Sequence, residues 1–333
     1  MRHRYFVATP IIFPSLSKAP SLDSGAKTYD DTIRDSMDLG YVATRPRFTR
    51  GRRTWNVNVR NLYLEDVRAL DDFQETITQR GANSFYFPNL IQNGSFEFPA
   101  VLDSEIVQGW SGVQSQGIAM QPCSTAFDGV MAMQFATEVG SLGAGQSATG
   151  VMASPISFPV FPGEVYQGVF QWLAVVTGLA GVSYDATANL SLILQMSDGS
   201  TVNVSPAASN PISGTSPATY TPVAQQFTIP APGAGLFIAG ASLALSMTLQ
   251  NASTSATALS APGSGNSLSA CFDSVGLALI QPAPGRSVYG RMAGSNSLVR
   301  PVRFAPSKLP EFSDLGFGTG LKLYGTTFAL EEV

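Results

Sequence analysis

Histidine occurs once, as His3, and cysteine twice, as Cys123 and Cys271. A single imidazole near the chain start excludes His-based catalytic triads, His-rich zinc sites and most imidazole acid–base chemistry. Two thiols cannot frame a disulfide scaffold, and they leave the redox compartment open. Charge is also sparse, at 13% of residues against 44% hydrophobic, a mixture too apolar for a disordered chain. The longest apolar run, from Gly235 to Leu249, is broken by Ser242 and Ser246 and is shorter than the ~20 residues a bilayer span needs. No membrane span is expected. The opening residues, Met1 to Pro10, hold no apolar core before a small-residue cleavage site, so no secretion signal is expected.

The most informative absence is regional. From Ile91 to Ala283 there is no lysine or arginine, while nine acids occur in that stretch. Both flanks carry a net positive charge, although the whole chain is −4. The flanks therefore resemble each other and not the middle, which reads as a domain inserted into another. The expected organisation is a discontinuous outer domain of residues 1–89 and 284–333, with an insert of residues 90–283. Pro282, Pro284 and Gly285 favour an exposed connection at the second junction. An insert of this kind needs neighbouring termini.

In the outer segments, Trp55, Val57 and Val59 alternate with polar residues, the period of two of a half-buried strand. Leu62, Leu64, Val67, Leu70, Phe73 and Ile77 then recur at three- and four-residue steps, with Glu65 and Asp66 early and Gly81 at the end. That pattern predicts an amphipathic helix with a glycine stop. Strands are expected again at Asn83–Phe87, at Val302–Phe304 and over the chain's last residues. Arg45, Arg47, Arg50, Arg52 and Arg53 form a basic cluster that would suit nucleic acid or an acidic partner. The preferred reading is a solvated strand and turn whose charges pair with Asp30, Asp31, Asp35 and Asp38 within one chain or between subunits, so no specific nucleic-acid partner is expected.

These residues resemble a family. The order Gly40-Tyr41, Arg45 to Phe48, Trp55 to Val59, the helix through Leu70 and Phe73, then Gly81 and Phe85 to Pro88, is similar to the minor tail proteins at the tail tip of long-tailed phages. More loosely it resembles distal tail proteins. The resemblance implies a small β-rich domain with one packed helix, forming a ring, commonly a hexamer, where the tail tube meets the host-recognition apparatus. The pattern covers residues 37–88. The closing stretch Ala329 to Val333 resembles the end of such domains.

The insert is rich in Ser, Thr, Gly, Ala and Val, with short strands between turn residues. Ala188 to Met196, the turn Ser197-Asp198-Gly199 and Ser200 to Val204 make a hairpin by alternation and Asp-Gly. No helix pattern stands out, and many short strands without βαβ alternation predict an antiparallel sandwich. The fold class expected for the whole chain is mainly β.

Asn89 to Glu97, containing Asn93-Gly94-Ser95-Phe96, then Gly109-Trp110, Pro162-Gly163 with Tyr166, Phe227 to Pro230, and Phe272-Asp273-Ser274-Val275 with Leu277, resemble the jelly-roll carbohydrate-binding modules. In that family the opening strand lies beside the closing one, which would supply the neighbouring termini. The resemblance also implies a structural calcium, placing Glu97, Asp273 and Asp128 around a hard cation. The alternative is that Glu97 and Asp273 cap strand ends or bind backbone N–H groups. Sugar sites use exposed aromatic platforms with a few polar groups, and a fold alone does not confer function. Trp110 and Trp172 sit in contexts that predict burial, which leaves Tyr184 and Tyr220 as glycan-binding candidates.

Catalytic chemistry is not legible. Asp103 and Glu105 form an acid pair of the type glycoside hydrolysis uses, but surface carboxylates explain them, and Gly143-Ala144-Gly145 and Gly316 to Gly320 read as turns. The Asn-x-Ser sequences at Asn93, Asn189, Asn203 and Asn251 match a glycosylation pattern that so serine-rich a segment produces by chance. The functional expectation is a non-enzymatic structural protein of a phage virion, at the tail tip and assembled in the host cytoplasm. Its expected partners are copies of itself in a ring, the tail tube, other tail-tip proteins and host cell-surface polysaccharide. The alternatives are a secreted or surface bacterial glycan-binding protein, and a phage-borne glycan-degrading enzyme.

Overall fold

A computed structural model of the chain describes residues 11–18, 21–22, 27–28, 32–36, 42–46, 53–87, 89–91, 93–100, 102–113, 118–127, 129–137, 142–143, 145–154, 157–177, 184–206, 210–213, 219–251, 267–283, 298–306, 308–318 and 321–333. It divides into two compact units, one of Met1–Ser17 with Asn89–Ser297 and one of Lys18–Pro88 with Leu298–Val333. Both are built on antiparallel sheets, and the fold is mainly β.

The chain begins the smaller unit with β1 (Ser21–Leu22), β2 (Lys27–Thr28), and the hairpin of β3 (Thr32–Ser36) and β4 (Val42–Pro46). Then come β5 (Arg53–Leu62), α1 (Leu64–Asp72) and β6 (Phe85–Phe87). In β5, Trp55, Val57 and Val59 are buried while their polar neighbours are half-exposed, as the alternation requires. At the start of α1 the Asp66 carboxylate accepts the Tyr63 N–H at 2.9 Å, placing an acid where the helix dipole favours it.

The helix departs from its expected course after Asp72. A single π-turn, Phe73–Ile77, closes with the Thr78 N–H donating to the Phe73 carbonyl at 2.8 Å. The extra residue per turn rotates the face: Phe73 and Gln74 are buried, whereas Ile77, assigned to the apolar stripe by its spacing, is exposed. Gly81 then follows at φ 92°, where a Cβ would lie 2.7 Å from the Phe304 carbonyl oxygen. Only glycine satisfies both demands.

The larger unit takes β7 (Ser111–Val113), β8 (Ile118–Cys123), β9 (Ala132–Thr137), β10 (Ser147–Ala153), β11 (Val165–Thr177), β12 (Tyr184–Met196), β13 (Thr201–Val204), β14 (Asn210–Ser213), β15 (Thr221–Thr228), β16 (Ile238–Asn251) and β17 (Ser267–Gln281). One sheet runs β13-β12-β16-β10-β7, with β14 also on β12, and the other β15-β11-β17-β9-β8. Between them lies a core containing Trp172, Phe170, Phe135 and Phe272, in which Trp172 stacks on Phe272 at 6.1 Å. The result is an antiparallel sandwich.

The chain then returns to the smaller unit as β18 (Leu298–Phe304), β19 (Glu311–Gly318) and β20 (Leu321–Glu332). β20 pairs with β5, and β18 lies between β20 and β6, so one sheet is made from both ends of the chain. Phe73, Phe85, Phe304 and Phe328 form its aromatic centre, with ring centroids 5.1 to 6.2 Å apart.

Two boundaries differ from the expected ones: residues 284–297, assigned to the outer domain, are grouped with the sandwich unit, and the other difference is at the chain's start. The start of the chain, placed with the outer segments on charge, belongs to the sandwich unit. Phe13 and Leu16 are buried there, and the Ser15 hydroxyl donates to the Ile91 carbonyl and accepts the Gly94 N–H, both at 2.7 Å. Charge counts are blind to this, because the tie consists of two apolar side chains and one hydroxyl.

Candidate functional site

The opening of the sandwich is organised by Asn93 and Gly94. Asn93, at φ 48°, donates from its amide to the Phe98 and Gln108 carbonyls and accepts the Phe98 N–H, while the Trp110 indole donates to the Asn93 backbone carbonyl. Gly94 runs so close to the closing strand that a Cβ would stand 1.9 Å from the Val275 carbonyl oxygen. Val275 donates its N–H to the Gly94 carbonyl and Leu90 donates to that of Leu277. The ends of this segment are thus neighbours, and the motif residues serve the backbone.

Glu97 and Asp273 reach the same loop, residues 124–131. Glu97 Oε1 accepts the Val130 and Met131 N–H groups at 2.8 and 2.9 Å. Asp273, fully buried, accepts the Phe127 N–H at 2.8 Å and that of Ser274 at 2.6 Å. Carboxylates satisfied by backbone donors, half-buried at Glu97 and buried at Asp273, act as staples. As a set for a hard cation the described residues supply these two carboxylates only. No group of three acidic, histidine or cysteine side chains is close enough to hold an ion among the described residues. Asp128, the third member of the expected set, lies outside them, as does the side chain of Tyr184, whose backbone belongs to β12. The side chains of the arginine cluster are likewise outside them.

Side chains alternate along strands, so the five-stranded sheet that turns Phe135, Phe272 and Trp172 into the core turns Gln134, Cys271 and Gln171 to its other face. Registers align Gln121 with Gln134, Gln134 with Cys271, and Gln171 with Asp273. The amides form a row: Gln121 donates to Gln134 at 3.1 Å, and Gln134 donates to the Ser269 hydroxyl at 3.2 Å. Gln171 Oε1 is buried and finds no hydrogen-bond partner among the described residues. A buried acceptor of this kind is open to an incoming donor, and it is one of several in the fold, Gln74 Oε1 and Thr326 Oγ1 among them.

Near Asp273 and Cys271 sits an aromatic pair. Tyr220 is half-buried, its hydroxyl donates to the Thr125 carbonyl, and its ring meets Phe127 edge-on at 5.6 Å and 62°. Burial pushes the Tyr220 phenol up from its ordinary pKa, and the nearby Cys271, Asp273 and Cys123 add to the shift. Phe127 is 53% exposed and Val130, on the same loop, 69%. Trp110 and Trp172 are both buried. Phe127 and the glutamine row were not singled out from sequence. Their signal was available, because Gln134 lies between Met133 and Phe135, and Gln171 between Phe170 and Trp172, where alternation turns a polar side chain outward.

No family model and no curated protein matches this chain. Among solved structures, it is similar to the CBM22-1 xylan-binding domain of Paenibacillus barcinonensis Xyn10C, at 17% identity over 60% of this chain and 97% of that one, with a TM-score of 0.34. It is similar to the C-terminal family 22 carbohydrate-binding module of Clostridium thermocellum Xyn10B at 12% identity, over 61% and 97%, with a TM-score of 0.32. The enzymatically active domain of tailspike protein 4 of bacteriophage CBA120 is similar at 15% identity, over 58% of this chain and 21% of that chain, with a TM-score of 0.32.

Proposed function

We propose that the sandwich unit is a non-catalytic glycan-binding module carried by a structural protein of a phage tail tip. The observation that carries the binding role is the face of Gln121, Gln134, Gln171 and Ser269, on a sheet whose Asp273, opposite Gln171, holds exposed Phe127 and with it half-buried Tyr220. Amides and hydroxyls satisfy sugar hydroxyls, and an aromatic ring offers the apolar face of a pyranose a surface to cover. The open acceptor of Gln171 is the group a ligand hydroxyl reaching that face would satisfy.

The charge distribution narrows the ligand. Without one lysine or arginine from Ile91 to Ala283, the stretch that carries Gln121, Gln134, Gln171 and Tyr220 has no cation of its own to pair with a uronate or sulfate, and its nine acids repel polyanions. The ligand class is therefore a neutral polysaccharide. The tail-tip part of the reading rests on the resemblance carried by residues 37–88 and on the two chain ends sharing one sheet. A ring of such subunits would multiply weak sugar contacts into useful avidity.

Affinity electrophoresis through gels containing neutral or acidic polysaccharides tests the binding role. The expected result is retardation by a neutral polymer that persists in high salt and is lost in Tyr220→Ala and Gln134→Ala. Retardation by acidic polymers alone, abolished by salt, would overturn it. Negative-stain microscopy of the purified protein tests the ring, and a monomer at all concentrations would count against the tail-tip reading.

A further inference from the structure

The two cysteines, 148 positions apart in the chain, meet. Their sulfurs lie 3.3 Å apart, both thiols free. Cys123 ends β8 opposite Ala132, one residue beyond the last β9–β17 pair, Met133 with Phe272, and is followed at once by the loop of residues 124–131. Cys271 lies within β17, buried.

We propose that Cys123 and Cys271 are a thiol–disulfide couple that closes an intrachain bond within the sandwich unit under an oxidant of the small-molecule disulfide class, such as oxidised glutathione. The sulfurs need to approach by little more than 1 Å to reach the ~2.05 Å of the bond. Cys123 is the residue that can move, because its strand ends there. It is also the accessible one, half-buried against the buried Cys271, and so it attacks first.

The step balances. The Cys123 thiolate attacks one sulfur of oxidised glutathione, forming a mixed disulfide and expelling one glutathione thiolate. Cys271, losing its proton to solvent, attacks Cys123 Sγ and expels the second. One S–S bond is broken and one formed, two electrons pass from the protein to glutathione, and two glutathione thiols leave. The contact between the thiols separates their roles: protonated Cys123 donates its S–H to Cys271, and ionised Cys123 accepts the Cys271 S–H, which holds the Cys123 thiol at about 7, while Cys271 itself is pushed up. A thiolate is the competent nucleophile.

The bond would anchor the start of the 124–131 loop, which already receives the Tyr220 hydroxyl at Thr125. The inference stands on the two thiols and is independent of any sugar ligand.

Intact-mass spectrometry of the native protein at pH 8 with oxidised glutathione tests it. The expected product has lost the mass of two hydrogens, has no titratable thiol and yields a peptide pair joining Cys123 to Cys271. Its unfolding midpoint is expected to rise by at least about 5 °C over the reduced protein. In Cys271→Ser the mixed disulfide at Cys123 should accumulate, and in Cys123→Ser the remaining thiol should react far more slowly. Two thiols still titratable after prolonged exposure of the folded wild-type protein, or a bond found only between chains, would overturn the proposal whether or not either variant folds.

Discussion

Phe328 stands directly opposite Val57 in an antiparallel pair, both fully buried. One residue comes from the first fifth of the chain and the other from its last six positions, with the whole sandwich unit between them. The smaller unit thus cannot be completed until the polypeptide has passed through the larger one.

Phe328→Ala is expected to destabilise the smaller unit by about 3–5 kcal/mol, the cost of an aromatic-sized cavity. In urea unfolding followed by tryptophan fluorescence, the transition reported by Trp55 should move, while the sandwich, which holds Trp110 and Trp172, keeps its own. A single shared transition shifting as a whole would show the units to be one cooperative block.

Ser15→Ala removes a hydroxyl that bridges Ile91 and Gly94. Leaving those backbone groups without it should cost about 1–3 kcal/mol. A sandwich fragment beginning at residue 89 should therefore melt below one that includes residues 11–17. Equal midpoints in differential scanning calorimetry would contradict the assignment of this segment to the sandwich.

Glu97→Gln loses the charge on the acceptor of two backbone N–H groups, for an expected loss of about 1.5–3 kcal/mol. Because the bonds are to backbone, the loss should be the same with a chelator present. A midpoint that falls only when calcium is supplied to the wild type for comparison would assign the loop's order to an ion.

Alkylation of Cys123 by iodoacetamide should rise with pH around a midpoint of about 7, because a lowered pKa leaves the thiolate populated above that pH and lost below it. In Cys271→Ser, a hydroxyl replaces the thiol, and in Cys271→Ala the donor is gone. The midpoint in the alanine variant should climb toward the ordinary thiol value. Rates read by peptide mass spectrometry check this, and an unshifted alanine variant would refute the donor role of Cys271.

The strand at Trp55, Val57 and Val59 was legible because half-burial imposes a period of two that side-chain type records directly. The asparagine and glycine at 93 and 94 were legible as a motif, but their work was not. Gly94 is required by the Val275 carbonyl, a contact across most of the sandwich unit's sequence. Ile77 misled for a local reason, since one π-turn breaks the 3.6-residue phase on which its burial was inferred. The glutamine row lay in plain alternation, yet its meaning depends on which strands become neighbours.

Composition and periodicity by themselves determined that this chain is mainly β, holds a single histidine and carries a middle without lysine or arginine, because those properties are sums over residues or rhythms within one strand. Tertiary structure alone decided that residues 11–17 close the sandwich, that Glu97 and Asp273 hold one loop, and that Cys123 touches Cys271. Each of these joins positions far apart in the chain. Strand order and register set such meetings, and neither is written in the spacing of any single segment.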